Sequence, residues 1–128
     1  MSDFIDSNLI LRYLLGDSDS DKTERLLKEK KELLLTDVTI AEIIWVLDSF
    51  YKWGRENIVD AIASLVDLDS IYSDKELILI ALGLFKKHNI DYIDAYIAAN
   101  IIRDGSGRVY SFDRDFDKIP DIKRVEPK

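Results

Sequence analysis

The sequence predicts an α/β fold with a short, mostly parallel central sheet and helices on both faces. Two observations carry that prediction. Short apolar runs alternate along the chain with longer segments whose apolar residues recur at helical spacing. Glycines and clusters of turn-forming residues fall between those segments, so each reads as a separate element. A third observation sets the scale. The chain has 128 residues, 47% of them hydrophobic, which suits one cored domain over residues 1–128 and argues against wholesale disorder.

Phe4-Ile5 closes a first strand that ends at Asp6. Leu9, Ile10, Tyr13 and Leu14 then mark a helix over residues 8–15, with Gly16 as its stop. Residues 18–21 are rich in N-cap types and open a charged helix that turns Leu26 and Leu27 inward. Leu33-Leu34-Leu35 reads as a buried parallel strand. A long helix over residues 39–53 carries a core stripe of Ile40, Ile43, Ile44, Leu47 and Phe50, and Gly54 ends it. Ile58, Ile62, Leu65 and Val66 mark the next helix, and Leu77, Ile78, Ala81, Leu84 and Phe85 another. An alanine-rich helix covers residues 93–102 and breaks at Gly105 and Gly107. Val109 to Phe112 is a strand ending at Asp113, and residues 122–125 form a last edge strand.

In open parallel sheets, sites form beyond the carboxyl ends of the strands. Asp6 and Asp113 stand at two such ends, and Glu42 and Asp94 stand in the first turns of two helices. Four acids far apart in sequence therefore share one expected location. Each also has a local explanation. Thr39-Ile40-Ala41-Glu42 matches a capping box. Asp91 is of N-cap type, with Asp94 favoured by the helix dipole, and Asp6 and Asp113 suit turns after strands. If the four converge, their repulsion calls for a hard divalent cation, Mg²⁺ or Mn²⁺.

The remaining inventory narrows the chemistry. His88 is the sole histidine, which excludes a two-histidine ribonuclease mechanism. There is no cysteine, so disulfides and thiolate sites are absent, as suits a reducing cytoplasm. No phosphate-binding glycine loop, nucleophile elbow, signal peptide or membrane-length apolar run is visible. The net charge of −7 argues against a basic nucleic-acid surface, yet an acidic metal site supplies part of that charge itself.

Four segments, in this order, resemble the PIN-domain family and especially its VapC-type toxins. They are Phe4-Ile5-Asp6-Ser7-Asn8, Thr39-Ile40-Ala41-Glu42, Ile90-Asp91-Tyr92-Ile93-Asp94-Ala95, and Tyr110-Ser111-Phe112-Asp113-Arg114-Asp115-Phe116. The resemblance covers nearly the whole chain and implies a PIN-like three-layer fold. It also implies a metal-dependent endoribonuclease. Asp6, Glu42, Asp94 and Asp113 would be its catalytic and metal-binding acids, and Asp91 and Asp115 further ligands. Asn8 and Ser111 would support them, and Asp117 competes with Asp115 as helper of the fourth acid. Arg114 and Arg12 are the first choices for substrate phosphate, ahead of Arg103, Arg108, Lys86 and Lys87. The resemblance further implies an RNA substrate, an inhibitory antitoxin and a homodimer. Trp45, Trp53 and Tyr51 give the helix over 39–53 more apolar surface than one core stripe needs, which points to a partner face. Two alternatives stand beside the nuclease: a PIN-like binding module without catalysis, and a phospho-acceptor receiver domain. The second lacks the expected lysine after the strand at 109–112.

Overall fold

A computed structural model describes residues 3–29 and 32–128; the reading of the N-terminus at Met1 and Ser2 lies outside them. The chain is mixed α/β, with short parallel strands as expected and, among the described residues, six α-helices. It divides into two compact units, Met1–Lys75 and Glu76–Lys128.

In the first unit, β1 (Asp3–Phe4), β2 (Leu33–Leu34) and β3 (Ile71–Tyr72) form a parallel sheet in the order β1-β2-β3. The middle strand is flanked on both sides, which is why an unbroken leucine run suits it: Leu33 and Leu35 are both buried. β3 is an element the sequence patterns did not reveal. Of its two residues only Ile71 is buried, too little for any periodicity to register.

α1 (Ser7–Leu15) ends at Gly16, whose φ of +69° lets its N–H reach the carbonyls of Arg12 and Tyr13. α2 (Ser20–Lys28) follows, and Ser70 Oγ donates to the Leu27 carbonyl at 2.7 Å. α3 (Asp37–Trp45) starts earlier than expected. Its N-cap is Thr36, whose hydroxyl accepts from the Thr39 N–H at 3.1 Å. Beyond Trp45 the helix widens into a π-helical turn, Val46–Phe50, with Tyr51 N–H bonded to the Val46 carbonyl.

That wider turn corrects two expectations. Ile40, Ile43, Ile44 and Leu47 are buried as read, but Phe50 is carried past the stripe and is 72% exposed. The chain then turns at Lys52, a non-glycine residue at φ +58°, and Gly54 is the N-cap of α4 (Arg55–Val66) instead of the end of α3. Ile58, Ile62, Leu65 and Val66 are the buried stripe of α4, as their spacing predicts.

The second unit holds α5 (Lys75–Lys87, apart from its first residue), α6 (Tyr92–Asp104), and a parallel ladder of β4 (Arg108–Tyr110) with β5 (Lys123–Val125). Leu77, Ile78, Ala81, Leu82 and Phe85 line the buried face of α5, with Leu84 half-buried beside it. Ala95, Ala98 and Ala99 are the buried face of α6, and Gly105 at φ +84° ends it. The strand read over 109–112 stops at Tyr110, and Phe112 beyond it is exposed. A 3₁₀ turn, Arg114–Lys118, fills the space before β5 and buries Phe116. Among the described residues no helix is long and apolar enough to cross a membrane.

Candidate active site

Asp6 and Glu42 belong to the first unit. Ile5 donates its N–H to the Leu34 carbonyl and is buried, so the chain leaves the sheet at Asp6. Asp6 is exposed and stands at the N-cap of α1, yet its carboxylate caps nothing. The turn-residue explanation therefore leaves its side chain unaccounted for. Glu42 is also exposed, and the capping box is not its role, because Thr36 and Thr39 form the cap one frame earlier. Glu42 instead accepts a hydrogen bond on Oε1 from the hydroxyl of Ser7, which is buried. Ser7 follows Asp6 in the chain, so one serine ties the start of α1 to α3. Sequence reading missed this role for Ser7.

Asn8 lies on an open groove of about 620 Å³ between α1 and α2, whose rim also carries Arg12, Lys22 and Arg25. Arg12 is held there by Asp19, with Nη1 to Oδ2 at 2.5 Å.

The second unit gathers Asp94, Asp113 and Asp115. Each offers one carboxylate oxygen, and these oxygens all lie within 4.8 Å of one another. Asp91 caps α6 by accepting the Asp94 N–H on Oδ1 at 2.9 Å, and this fixes the first turn that presents Asp94. The local reading of Asp91 as a cap is thus correct, and its carboxylate is not one of the gathered three. Asp113 caps the 3₁₀ turn by accepting the Asp115 N–H at 2.9 Å. Ser111 Oγ in turn accepts the Asp113 backbone N–H at 2.9 Å.

Asp115 and Asp117 separate cleanly. Asp115 joins the acidic group, where Lys118 Nζ meets its Oδ1 at 2.9 Å and also donates to the Asn89 carbonyl at 2.8 Å. Asp117 is engaged by Arg124. Arg114 is exposed and has no ion-pair partner among the described residues.

Crowding leaves its mark on Asp94. Burial, then the charges of Asp91, Asp113 and Asp115 and a hydrogen bond with Asp113, push its pKa from 3.8 up to about 6. Three hard carboxylate donors in mutual reach suit Mg²⁺ or Mn²⁺, and such a cation would relieve the repulsion that raises Asp94.

The chain is similar to a VapC ribonuclease of Aquifex aeolicus (strain VF5), with 26% identity over 130 residues, covering 96% of this chain and 95% of that protein. Among solved structures it is similar to Mycobacterium tuberculosis VapC20, described as a sarcin–ricin loop cleaving toxin. That match has 20% identity, covers 99% of this chain and 100% of the other, and has a TM-score of 0.41. The model of the PIN domain family matches residues 4–122, across all four acidic segments, which sets aside the receiver-domain alternative. The chain belongs to the PIN-domain family.

Proposed function

We propose that the chain is an endoribonuclease that depends on Mg²⁺ or Mn²⁺ and hydrolyses RNA phosphodiester bonds, acting as the toxin of a toxin–antitoxin pair. The observation that carries this reading is the gathering of Asp94, Asp113 and Asp115 in a PIN-domain chain. Its similarity to a protein named VapC ribonuclease supports the same activity. Residues 1–128 act in this reading as a single PIN-like domain, working in the cytoplasm.

Asp6, Glu42, Asp94 and Asp113 are the proposed catalytic carboxylates and metal ligands, with Asp115 as a further ligand and Asp91 as an accessory acid. When bound, a divalent cation supplies Lewis acidity at the phosphoryl group and makes water a better nucleophile. The chain's own side chains do the rest. Ser7 orients Glu42. Ser111 holds the backbone of Asp113. In the metal-free chain the Asp94 pKa is pushed up to about 6, so cation binding there would compete with a proton in that range. Asn8 supports the acids of the first unit. Arg114 meets a substrate phosphate from the turn beside Asp113, and Arg12 ranks behind it because Asp19 already engages it. Exposed Val38, Trp45, Phe50 and Tyr51 support a partner face, either a second copy or an antitoxin.

Purified protein should cut RNA in Mn²⁺ or Mg²⁺ and stop in a chelator. Asp6→Asn and Asp94→Asn should fold, by circular dichroism, and cut at least about 100-fold more slowly. Parental cutting by either variant would refute the assigned acids. Metal-dependent cutting of DNA but not RNA would move the substrate class. Failure of the parent to cut at all would favour the binding module.

A further inference from the structure

We infer that Arg124 is a positioning residue: its guanidinium clasps both ends of the loop from Ser111 to Asp117 and thereby aims Asp113 and Asp115. Arg124 lies on β5, paired in register with Val109 of β4. Its side chain is only 12% exposed. Nη1 donates to the Ser111 carbonyl at 3.1 Å, at the start of the loop. Nε and Nη2 grip the two carboxylate oxygens of Asp117, at its end, at 3.1 and 3.3 Å. Nη1 also meets Glu126 Oε1 at 3.1 Å, outside the loop. A planar fork with five donors is suited to bridging a carbonyl and a carboxylate at once, and a lysine ammonium is not. Between the two gripped ends stand Asp113 and Asp115, already linked to each other and to Ser111 Oγ. Arg124 touches none of the three gathered acids through any of these bonds, so its effect on them runs through the loop.

The inference rests on the metal-site reading above, and its test has a sign that simple electrostatics does not share. Removing a cation near an acidic site should tighten divalent-ion binding by Coulomb attraction alone. Loosening the clasp should weaken it, since partners that orient ligating groups typically matter about 10–100-fold in metal affinity.

The experiment is a Mn²⁺ titration of the full metal-free chain, read by the free-ion electron paramagnetic resonance signal and by the rise in melting temperature. Arg124→Met should need about tenfold more Mn²⁺ than the parent. Arg124→Lys should be weakened less, and Asp117→Asn should be weakened too. Asp117→Asn combined with Arg124→Met should be no worse than Arg124→Met alone, because both break one clasp. Glu126→Gln should bind as the parent does. Parental or tighter binding by Arg124→Met overturns the inference. If that variant does not fold, parental or tighter binding by Arg124→Lys overturns it, because Asp117→Asn also removes a negative charge and weakens cation binding by Coulomb attraction alone. Asp94→Asn and Asp113→Asn separate the two layers. If they also bind like the parent, the metal site itself is wrong; if only they lose Mn²⁺, the clasp alone is wrong.

Discussion

Asp94 carries a pH signature that can be measured without any activity assay. Its pKa is about 6 in the folded chain against an ordinary 3.8, raised mainly by burial. Between those values the native state holds a proton that the unfolded state has released. The group's contribution to stability of the metal-free protein therefore falls as pH rises through this window, and stays low above it. Asp94→Asn should remove that slope and stabilise the metal-free protein at pH 7 by on the order of 1 kcal/mol, after discounting for solvent screening. Urea unfolding at pH 4.5 and pH 7 checks this; identical pH slopes in parent and variant would refute it. Saturating Mn²⁺ should invert the slope, because the cation favours the ionised carboxylate. Ser7→Ala is the second test at this scale. It leaves Glu42 without its hydroxyl donor and should destabilise the chain by about 1 kcal/mol. Asp94 was legible in the sequence as a first-turn acid, whereas α3 starts at Asp37 and carries Glu42 beyond its first turn. Ser7 and Arg124 were not legible. The partner of Ser7 lies 35 residues along the chain, and although those of Arg124 are nearer, no local pattern says where a hydroxyl or a guanidinium will be aimed.

The helix ends show how one pattern can fit two frames. Thr39 and Glu42 have capping-box spacing, but Thr36, three residues earlier, caps α3 and leaves Glu42 outside the cap. Thr36→Ala should therefore cost about 1 kcal/mol in thermal or denaturant unfolding, whereas Glu42→Gln should cost less than about 0.5 kcal/mol. Equal losses would restore the box. The end of α3 is a second case. A glycine is the usual helix stop, so Gly54 drew the boundary, while Lys52 makes the left-handed turn at φ +58°. Lys52→Gly should relieve that conformation and raise stability by about 0.5–1 kcal/mol. The stripe of α4 was read correctly, and that of α5 except that Leu82 is buried where Leu84 was expected. The two-residue β3 was missed because its one buried side chain carries no period.

For the molecule as a whole, the −7 charge makes any RNA binding depend on a few local cations. Arg114→Ala should weaken binding of a catalytically silent Asp6→Asn chain to single-stranded RNA and reduce the salt slope by about 1. An unchanged slope would remove Arg114 from the contact. The α/β class and parallel pairing were legible because apolar runs and helical stripes alternate in order. What alternation did not give was the division of the strands into a three-stranded sheet and a separate two-stranded ladder, since strand pairing is a long-range choice. The surplus apolar surface was legible only in part. Trp45 is 65% exposed as its offset face suggested, but Phe50 joined it from the supposed core. A solution mass by light scattering tests the homodimer directly, and a monomer at high concentration would count against it.

The π-helical turn at Val46–Phe50 has a consequence for how relatives of this chain should align. Such a turn is a helix with one residue too many for its length. Deleting one residue there would restore ordinary α-helical winding, leaving Ile40 to Ile44 upstream in place. Relatives are expected to carry a single-position gap within this stretch more readily than elsewhere in α3, and a shortened version of this chain should still fold, with a new side chain rotated toward the interior.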